Sequence, residues 1–379
     1  MTPTTVMFDY QIFASHERYG GISRYFFELI QGLRRRQDFK VRLAMSCSMN
    51  DCLRNRDFSF LISHRNRMKL WLVQLEEEIT RRILEYHNRS IALKTLKHQD
   101  FDVFHPTYYD PYFLPHLGGK PFVITIHDMI HERFPDYFPR GDPTRSRKRE
   151  LAEKARHVIA VSESTKRDIV KFYGTPAQKI SVIYHASSLR LSGASKSVAR
   201  LPTRYVLFVG NRALYKGFQF MIRGLGPTFK LQSDLYLLCV GGGYPRRAER
   251  DLIKRLGLQR RVLFMRFVSD DVLAQIYSRA LAYICPSEYE GFGIPVVEAM
   301  SCGCPAVLNR VSSLPEAGGE AARYFDGGDE GSLRKALDPI LEDAALREKM
   351  RGEGFAHASR FSWDRMTTET RKVYLSLRP

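Results

Sequence analysis

Residues 286–300 read PSEYEGFGIPVVEAM and concentrate the groups most suited to chemistry. Two carboxylates, Glu290 and Glu298, bracket Gly291, Phe292, Gly293 and Pro295. An apolar run ends at Cys285 and a helical pattern follows, so this is a strand-to-helix turn with proline in the helix's first turn. The first N–H groups of a helix lack partners within it, and the helix dipole adds positive potential there. Such a turn suits a diphosphate, and glycines at 291 and 293 let the backbone approach the anion closely. Carboxylates are poor phosphate ligands. Glu290 and Glu298 suit sugar and ribose hydroxyls on either side of the phosphates. The plainer alternative, a turn with surface glutamates, leaves Gly-Phe-Gly without a packing reason.

Other segments supply complementary groups. Arg212 and Lys216 follow the apolar run Tyr205–Val209 and would clamp a diphosphate and stabilise charge on it as it leaves. Gly20 and Gly21 precede another helical pattern, with Ser23 available to cap it. His127 closes the apolar run 122–126, and the carboxyl ends of strands are where α/β folds place ligands. His105 closes a shorter run and is an acceptor-side candidate. Gly241-Gly242-Gly243 lacks the spacing of a dinucleotide fingerprint and reads as a tight turn. No Asp-x-Asp loop follows a strand, and Asp270-Asp271 reads as a helix start, so no metal is expected.

These groups need elements to hold them. Short apolar runs at Val103–His105, 122–126, 157–161, 181–184, Tyr205–Val209, 235–240, Val262–Met265 and Ala282–Cys285 read as buried strands. Helical periodicity falls at 23–36, 145–155, Glu163–Tyr173, 246–256, 271–279 and 295–302. This alternation predicts an α/β fold of parallel sheets with helices on both faces. A chain of 379 residues is long enough for two such cores. Residues 187–203, rich in Ser, Ala and Arg, break the pattern and read as a linker. The expected organisation is a first domain at 1–186, a second at 204–360 and a terminal helix within 361–379.

The net charge of +18 predicts an anionic partner. Aromatics are not interleaved with the basic runs and no nucleic-acid motif appears, which leaves phosphorylated small molecules and acidic membrane surfaces. Residues 54–97 form a long charged helical stretch. Trp71, Leu72, Leu75, Ile79, Ile83 and Leu84 make its apolar face, and Arg65, Arg67, Lys69, Arg81, Arg82, Arg89, Lys94 and Lys97 its basic one. A solvated face or a face docked on anionic lipid both fit. The cysteines, Cys47, Cys52, Cys239, Cys285, Cys302 and Cys304, have no zinc or redox spacing and read as buried free thiols. The opening residues do not look like a secretory signal, and no apolar run approaches the ~18–20 residues of a membrane span.

Glu290 and Glu298 resemble the Glu-x7-Glu signature of retaining glycosyltransferases with the GT-B fold, and the surrounding stretch resembles glycosyltransferase family 4. The likeness extends upstream to Phe267-Val268-Ser269-Asp270 and downstream to Gly303-Cys304-Pro305-Ala306-Val307 and Ser313-Leu314-Pro315-Glu316. It covers most of residues 205–330 and is thinner in the first half. The resemblance implies two Rossmann-like domains with parallel sheets facing a cleft, acceptor side first and donor side second. The segment beginning Phe361-Ser362-Trp363-Asp364 would pack back on the first domain.

By the same resemblance, Glu298 binds the donor ribose and Glu290 lies near the transferred sugar. The amides of Gly291, Phe292 and Gly293 meet sugar and phosphates, and backbone groups at Phe267 and Val268 meet the base. His127 lies over the donor sugar, making His127 and Glu290 the catalytic candidates. Gly20 and Gly21 lie near donor and acceptor. The family usually places an arginine directly after the strand's glycine; Asn211 holds that place here, with Arg212 one later. The implied reaction is retaining transfer in which the departing diphosphate takes the acceptor's proton. It needs no metal and no cofactor beyond the nucleotide-sugar co-substrate. The Glu290 region and the Gly20-Gly21 loop look like those of bacterial surface-polysaccharide mannosyltransferases. They imply GDP-mannose as donor, a lipid-linked saccharide as acceptor, and a cytoplasmic enzyme peripheral to the inner face of the cell membrane. A UDP-sugar-dependent transferase and a nucleotide-sugar epimerase of the same architecture are the alternatives.

Overall fold

All strand pairings among the described residues are parallel, as continuous apolar strands require when helices cover both faces. The computed structural model describes residues 2–14, 20–46, 48, 50, 53, 77–191, 201–266 and 268–378, with backbone only at 77–81. Phe267, Cys47, Cys52, residues 192–200 of the expected linker, and Arg65, Arg67, Lys69, Trp71, Leu72 and Leu75 lie outside the described residues. The chain divides into two units, Met1–Tyr184 with Trp363–Pro379, and His185–Ser362.

In the first unit, β1 (Thr4–Phe8), β2 (Phe39–Leu43) and β3 (Val103–His105) pair in the order β2-β1-β3. β4 (Val123–Ile126), β5 (His157–Ala160) and β6 (Ile180–Val182) pair in chain order. A parallel bridge between Phe104 and Phe122 joins the two triplets. The helices are α1 (Gly21–Arg34), α2 (Glu77–Lys97), α3 (Ile130–Arg133), α4 (Thr144–Lys154) and α5 (Glu163–Tyr173). α1 starts where Ser23 Oγ accepts the Gly20 N–H and donates to its carbonyl. It buries Tyr25, Phe26, Leu29, Ile30 and Leu33, the spacing of one helical face. α2 buries Leu84, Asn88, Ala92 and Leu96, four residues apart. Ile83, expected on that face, is 37% exposed because it sits one position, about 100°, around the helix. Arg89, expected on the basic face, instead pairs with Asp110 at 3.0 Å and lies over the Tyr112 ring.

In the second unit, β7 (Tyr205–Val209), β8 (Tyr236–Val240), β9 (Val262–Met265), β10 (Ala282–Cys285), β11 (Ala306–Asn309) and β12 (Arg323–Phe325) form one sheet. Its order is β12-β11-β10-β7-β8-β9. The helices are α6 (Phe218–Leu231), α7 (Arg247–Arg255), α8 (Asp270–Arg279), α9 (Ile294–Ser301), α10 (Leu314–Gly318), α11 (Glu330–Glu342) and α12 (Ala344–Ala358). α6 and α11 pack closely. A Cβ at Gly224 would lie 2.9 Å from a Leu333 methyl. Cys239, Cys285, Cys302 and Cys304 are free and buried.

The terminal helix α13 (Trp363–Ser376) belongs to the first unit and packs on α1. A Cβ at Gly32 would fall 2.2 Å from Thr367 Oγ1 and 2.9 Å from its Cβ, so the contact requires glycine. In an open helix Gly→Ala adds about 1 kcal/mol of stability. Here overpacking outweighs it. Gly32→Ala should destabilise the protein by about 1–3 kcal/mol in urea melts. Adding Thr367→Ala should restore most of that loss. A Gly32→Ala protein at least as stable as wild type would contradict this packing.

Candidate active site

The strand order of the second unit reverses between β7 and β10, its central pair. Ligands of open α/β sheets bind outside the carboxyl ends of strands at such a switch point. The loop after β7 carries Lys216, and the loop after β10 carries Glu290. Two contacts hold the loops together. The Glu288 N–H donates to the Tyr215 carbonyl at 2.7 Å. Gly217, at φ 65°, lies so close that a Cβ would be 2.1 Å from the Pro286 carbonyl oxygen. Only glycine fits there, on grounds of both space and backbone conformation.

Across this junction Lys216 Nζ meets Glu290 Oε1 at 2.7 Å. The Ser287 hydroxyl donates to the same oxygen at 2.7 Å. Burial works against the Lys216 ammonium, but Glu290, Tyr215 and Cys285 outweigh it and hold its pKa above the usual lysine value. The Glu290 backbone is fixed as well. Its N–H donates to Ser312 Oγ at 2.9 Å and its carbonyl accepts from Ser313 Oγ at 2.8 Å. Ser312 has φ 48°, a strained conformation for a residue other than glycine.

Helix α9 begins beside this pair. Gly293 precedes it at φ 100°, a left-handed conformation that favours glycine, and Pro295 occupies its first turn. Gly291 and Phe292 are buried in the same turn, with the Phe292 ring edge-on to His185 and Phe361. Glu298 lies one turn into α9, and its Oε2 accepts from the Tyr277 hydroxyl at 3.3 Å. Burial, then Glu298, holds Tyr277 well above the usual phenol pKa, so it stays a donor. Val268 is half-buried at the carboxyl end of β9, the same edge of the sheet.

Arg212 does not join this group as a clamp, which corrects the expectation from sequence. Its side chain is 2% exposed. The guanidinium pairs with Glu249 at 3.1 Å and donates to the carbonyls of Gly241, Gly242, Gly243 and Tyr244. It lies over the Phe218 and Phe264 rings. A cation this enclosed organises the glycine-rich turn after β8 rather than facing a ligand. The one-residue offset at Asn211 is the sequence signal for that difference.

In the first unit, α1 leads from Gly20 and Gly21 to two histidines at strand ends. Tyr25 meets the His127 ring at 5.3 Å, and Phe26 meets both His105 and His127. His105 is fully buried. It bonds Tyr374 of α13 through Nδ1 at 2.5 Å and Thr125 through Nε2 at 3.0 Å. Thr125 also meets the Tyr25 hydroxyl at 3.1 Å. His105 is therefore a packing pin and not the acceptor-side group that its strand-end position implied. His127 is 7% exposed. Burial, then His105 and Lys148, lowers its pKa to about 3, so it is neutral.

Comparison with known proteins decides what this arrangement belongs to. Two families match the chain: Glycosyltransferase Family 4 over residues 19–189 and Glycosyl transferases group 1 over residues 194–357. An O-antigen chain mannosyltransferase B from Escherichia coli is 30% identical over 313 residues, 77% of this chain and 78% of that one. The chain belongs to glycosyltransferase family 4. Its fold is GT-B, shared with sucrose-phosphate synthase from Thermosynechococcus elongatus at a TM-score of 0.73 and 19% identity, covering 99% of each chain. It is shared also with Anabaena HepE in complex with UDP-glucose, at 0.71 and 18% identity over 98% of this chain and 99% of that one.

For a family 4 glycosyltransferase the sequence marked the acidic and cationic residues but missed the neutral ones that hold them. Ser287, Ser312, Ser313 and Tyr277 all bond Glu290 or Glu298. Lone hydroxyl residues carry no spacing signal, so only the fold reveals them. The histidines give a pH prediction. His105 is held near a pKa of about 3 by burial, as is His127. Unfolded histidine titrates near 6.5. The unfolded chain therefore binds more protons between those values, and stability is lost as pH falls through that window. Each histidine contributes up to about 1.4 kcal/mol per pH unit. His105→Asn should flatten the dependence of unfolding free energy on pH between pH 6.5 and 5. An unchanged slope would contradict neutral burial.

Proposed function

We propose that this glycosyltransferase moves a hexose from a nucleotide-sugar donor to a saccharide acceptor with retention of configuration. The donor we favour is GDP-mannose. The observation that carries this reading is the Lys216–Glu290 pair at the switch point, beside the start of α9. Lys216 and the first amides of α9 supply positive charge where a diphosphate leaves. Glu290 accepts sugar hydroxyls, and Glu298 accepts those of the ribose. As the bond between anomeric carbon and diphosphate oxygen breaks, the acceptor hydroxyl forms its bond on the same face. Its proton passes to the departing diphosphate. A neutral His127 can hydrogen-bond the sugar without setting a positive charge beside the oxocarbenium-like carbon. Phe267 and Val268 would read the base through backbone groups. No metal is required in this scheme.

The mannosyltransferase of Escherichia coli supports mannose and surface polysaccharide. The likeness to a protein that holds UDP-glucose supports a UDP-sugar donor as the second reading. Among the described residues no helix is long and apolar enough to cross a membrane. Separately, the +18 charge supports an acceptor met at an anionic membrane surface, and a lipid-linked saccharide is the acceptor we favour there.

Two measurements test the reading. Activity against a panel of nucleotide-sugars, with a chelator present throughout, should be highest with GDP-mannose and unaffected by EDTA. Activity lost to EDTA and restored by magnesium or manganese would refute the metal-free scheme. Glu298→Ala should weaken nucleoside diphosphate binding by about 1.5–3 kcal/mol, whichever sugar is attached. A folded Glu298→Ala protein with wild-type nucleotide affinity would remove Glu298 from the site.

A further inference from the structure

The donor chemistry makes no use of Lys148, yet this lysine on α4 is completely buried, which is rare for its type. Its ammonium lies 2.7 Å from Glu132 Oε2, another fully buried group. It donates to the Asp128 carbonyl at 3.1 Å and lies 3.7 Å from Asp128 Oδ1. The other Glu132 oxygen accepts the Tyr173 hydroxyl at 2.5 Å. The ammonium also sits over the Tyr109 ring, 5.8 Å from its centre. The Tyr109 hydroxyl oxygen accepts the His127 N–H at 3.0 Å. The His127-Asp128 dipeptide at the end of β4 is thus gripped twice, at its first N–H by Tyr109 and at its last carbonyl by Lys148. Asp128 Oδ1 then accepts the Ile130 N–H at 3.1 Å and starts α3.

Stability does not explain this cluster. A buried ion pair seldom stabilises a fold more than apolar side chains of the same volume. What the pair supplies is direction, because one ammonium satisfies several acceptors at fixed angles. Its charge is also among the causes that keep the His127 imidazole neutral.

We infer that Lys148 is a positioning residue: locked by Glu132, it fixes the turn that presents His127 and affects sugar transfer only through His127. The inference rests on the assignment of His127 to the donor sugar. It predicts a specific pattern in a double-mutant cycle on the full-length enzyme, with kcat and donor KM measured for each protein. Lys148→Met should lower kcat between about tenfold and 100-fold, the scale of a misplacement near 1 Å, with little change in KM. In the His127→Ala background the same substitution should cost nothing further. Lys148→Met alone strands the Glu132 charge, so Lys148→Met with Glu132→Leu is the second test. That variant should melt at or above the wild-type temperature and still show the kcat loss. Wild-type kcat in it, or losses from Lys148→Met and His127→Ala that multiply, would overturn the inference while leaving the role of His127 standing. Wild-type kcat in His127→Ala would instead overturn the His127 assignment, and the inference with it.

Discussion

The contact between Gly217 and the Pro286 carbonyl is the constraint on which the arrangement of the candidate site in the second unit depends. A parallel sheet places the ends of β7 and β10 side by side but does not make their loops touch. Contact needs a residue without a side chain at one point, and a left-handed turn at the same point. Gly217 provides both. The loops then approach closely enough for Lys216 and Glu290 to meet, and the start of α9 follows within a few residues. Cation, carboxylate and helix terminus are thus delivered to one place by the sheet's topology together with the Gly217 turn.

Buried polar groups set the geometry elsewhere in the protein. Arg212 fills its hydrogen bonds from Glu249 and four carbonyls, which spends a charge on shaping the turn after β8. His105 links α13 to β4 through Tyr374 and Thr125. Asp9, fully buried at the end of β1, accepts from Thr107, Gln11 and Tyr112 and so ties that strand end to the loop after β3. Burial raises its carboxyl pKa, and the hydrogen bonds oppose that rise. In each case a polar side chain fixes how two elements or a loop meet, which apolar packing would leave loose.

The fold class was legible because the central strands are continuous apolar runs, and parallel strands buried on both faces must be. Four strands escaped that reading: β1 and β11, although buried, and β2 and β12. β2, with sequence FKVRL, carries exposed charges, while β12 is three residues long. Helices α6 and α11 hid behind Pro227 and Pro339, residues that ordinarily end a helix. In α6, Gly224 and Gly226 also depress helix propensity, and packing against α11 overrides it. In the candidate site, Glu290, Lys216 and the glycines were legible from their spacing around strand ends. The true position of Arg212 was not. The one-residue offset at Asn211 hinted at a difference, but the partners that hold Arg212, the carbonyls of the turn at 241–244, show only in the fold.

The central claim is that Lys216 acts on the outer phosphate of the donor. Calorimetric titration of Lys216→Met with a nucleoside diphosphate and with the matching monophosphate tests it most directly. The diphosphate should bind about 1.5–3 kcal/mol more weakly than to wild type, as for a lost charge-assisted hydrogen bond, with the monophosphate unchanged. Equal losses for both nucleotides, or none for either, would contradict the account.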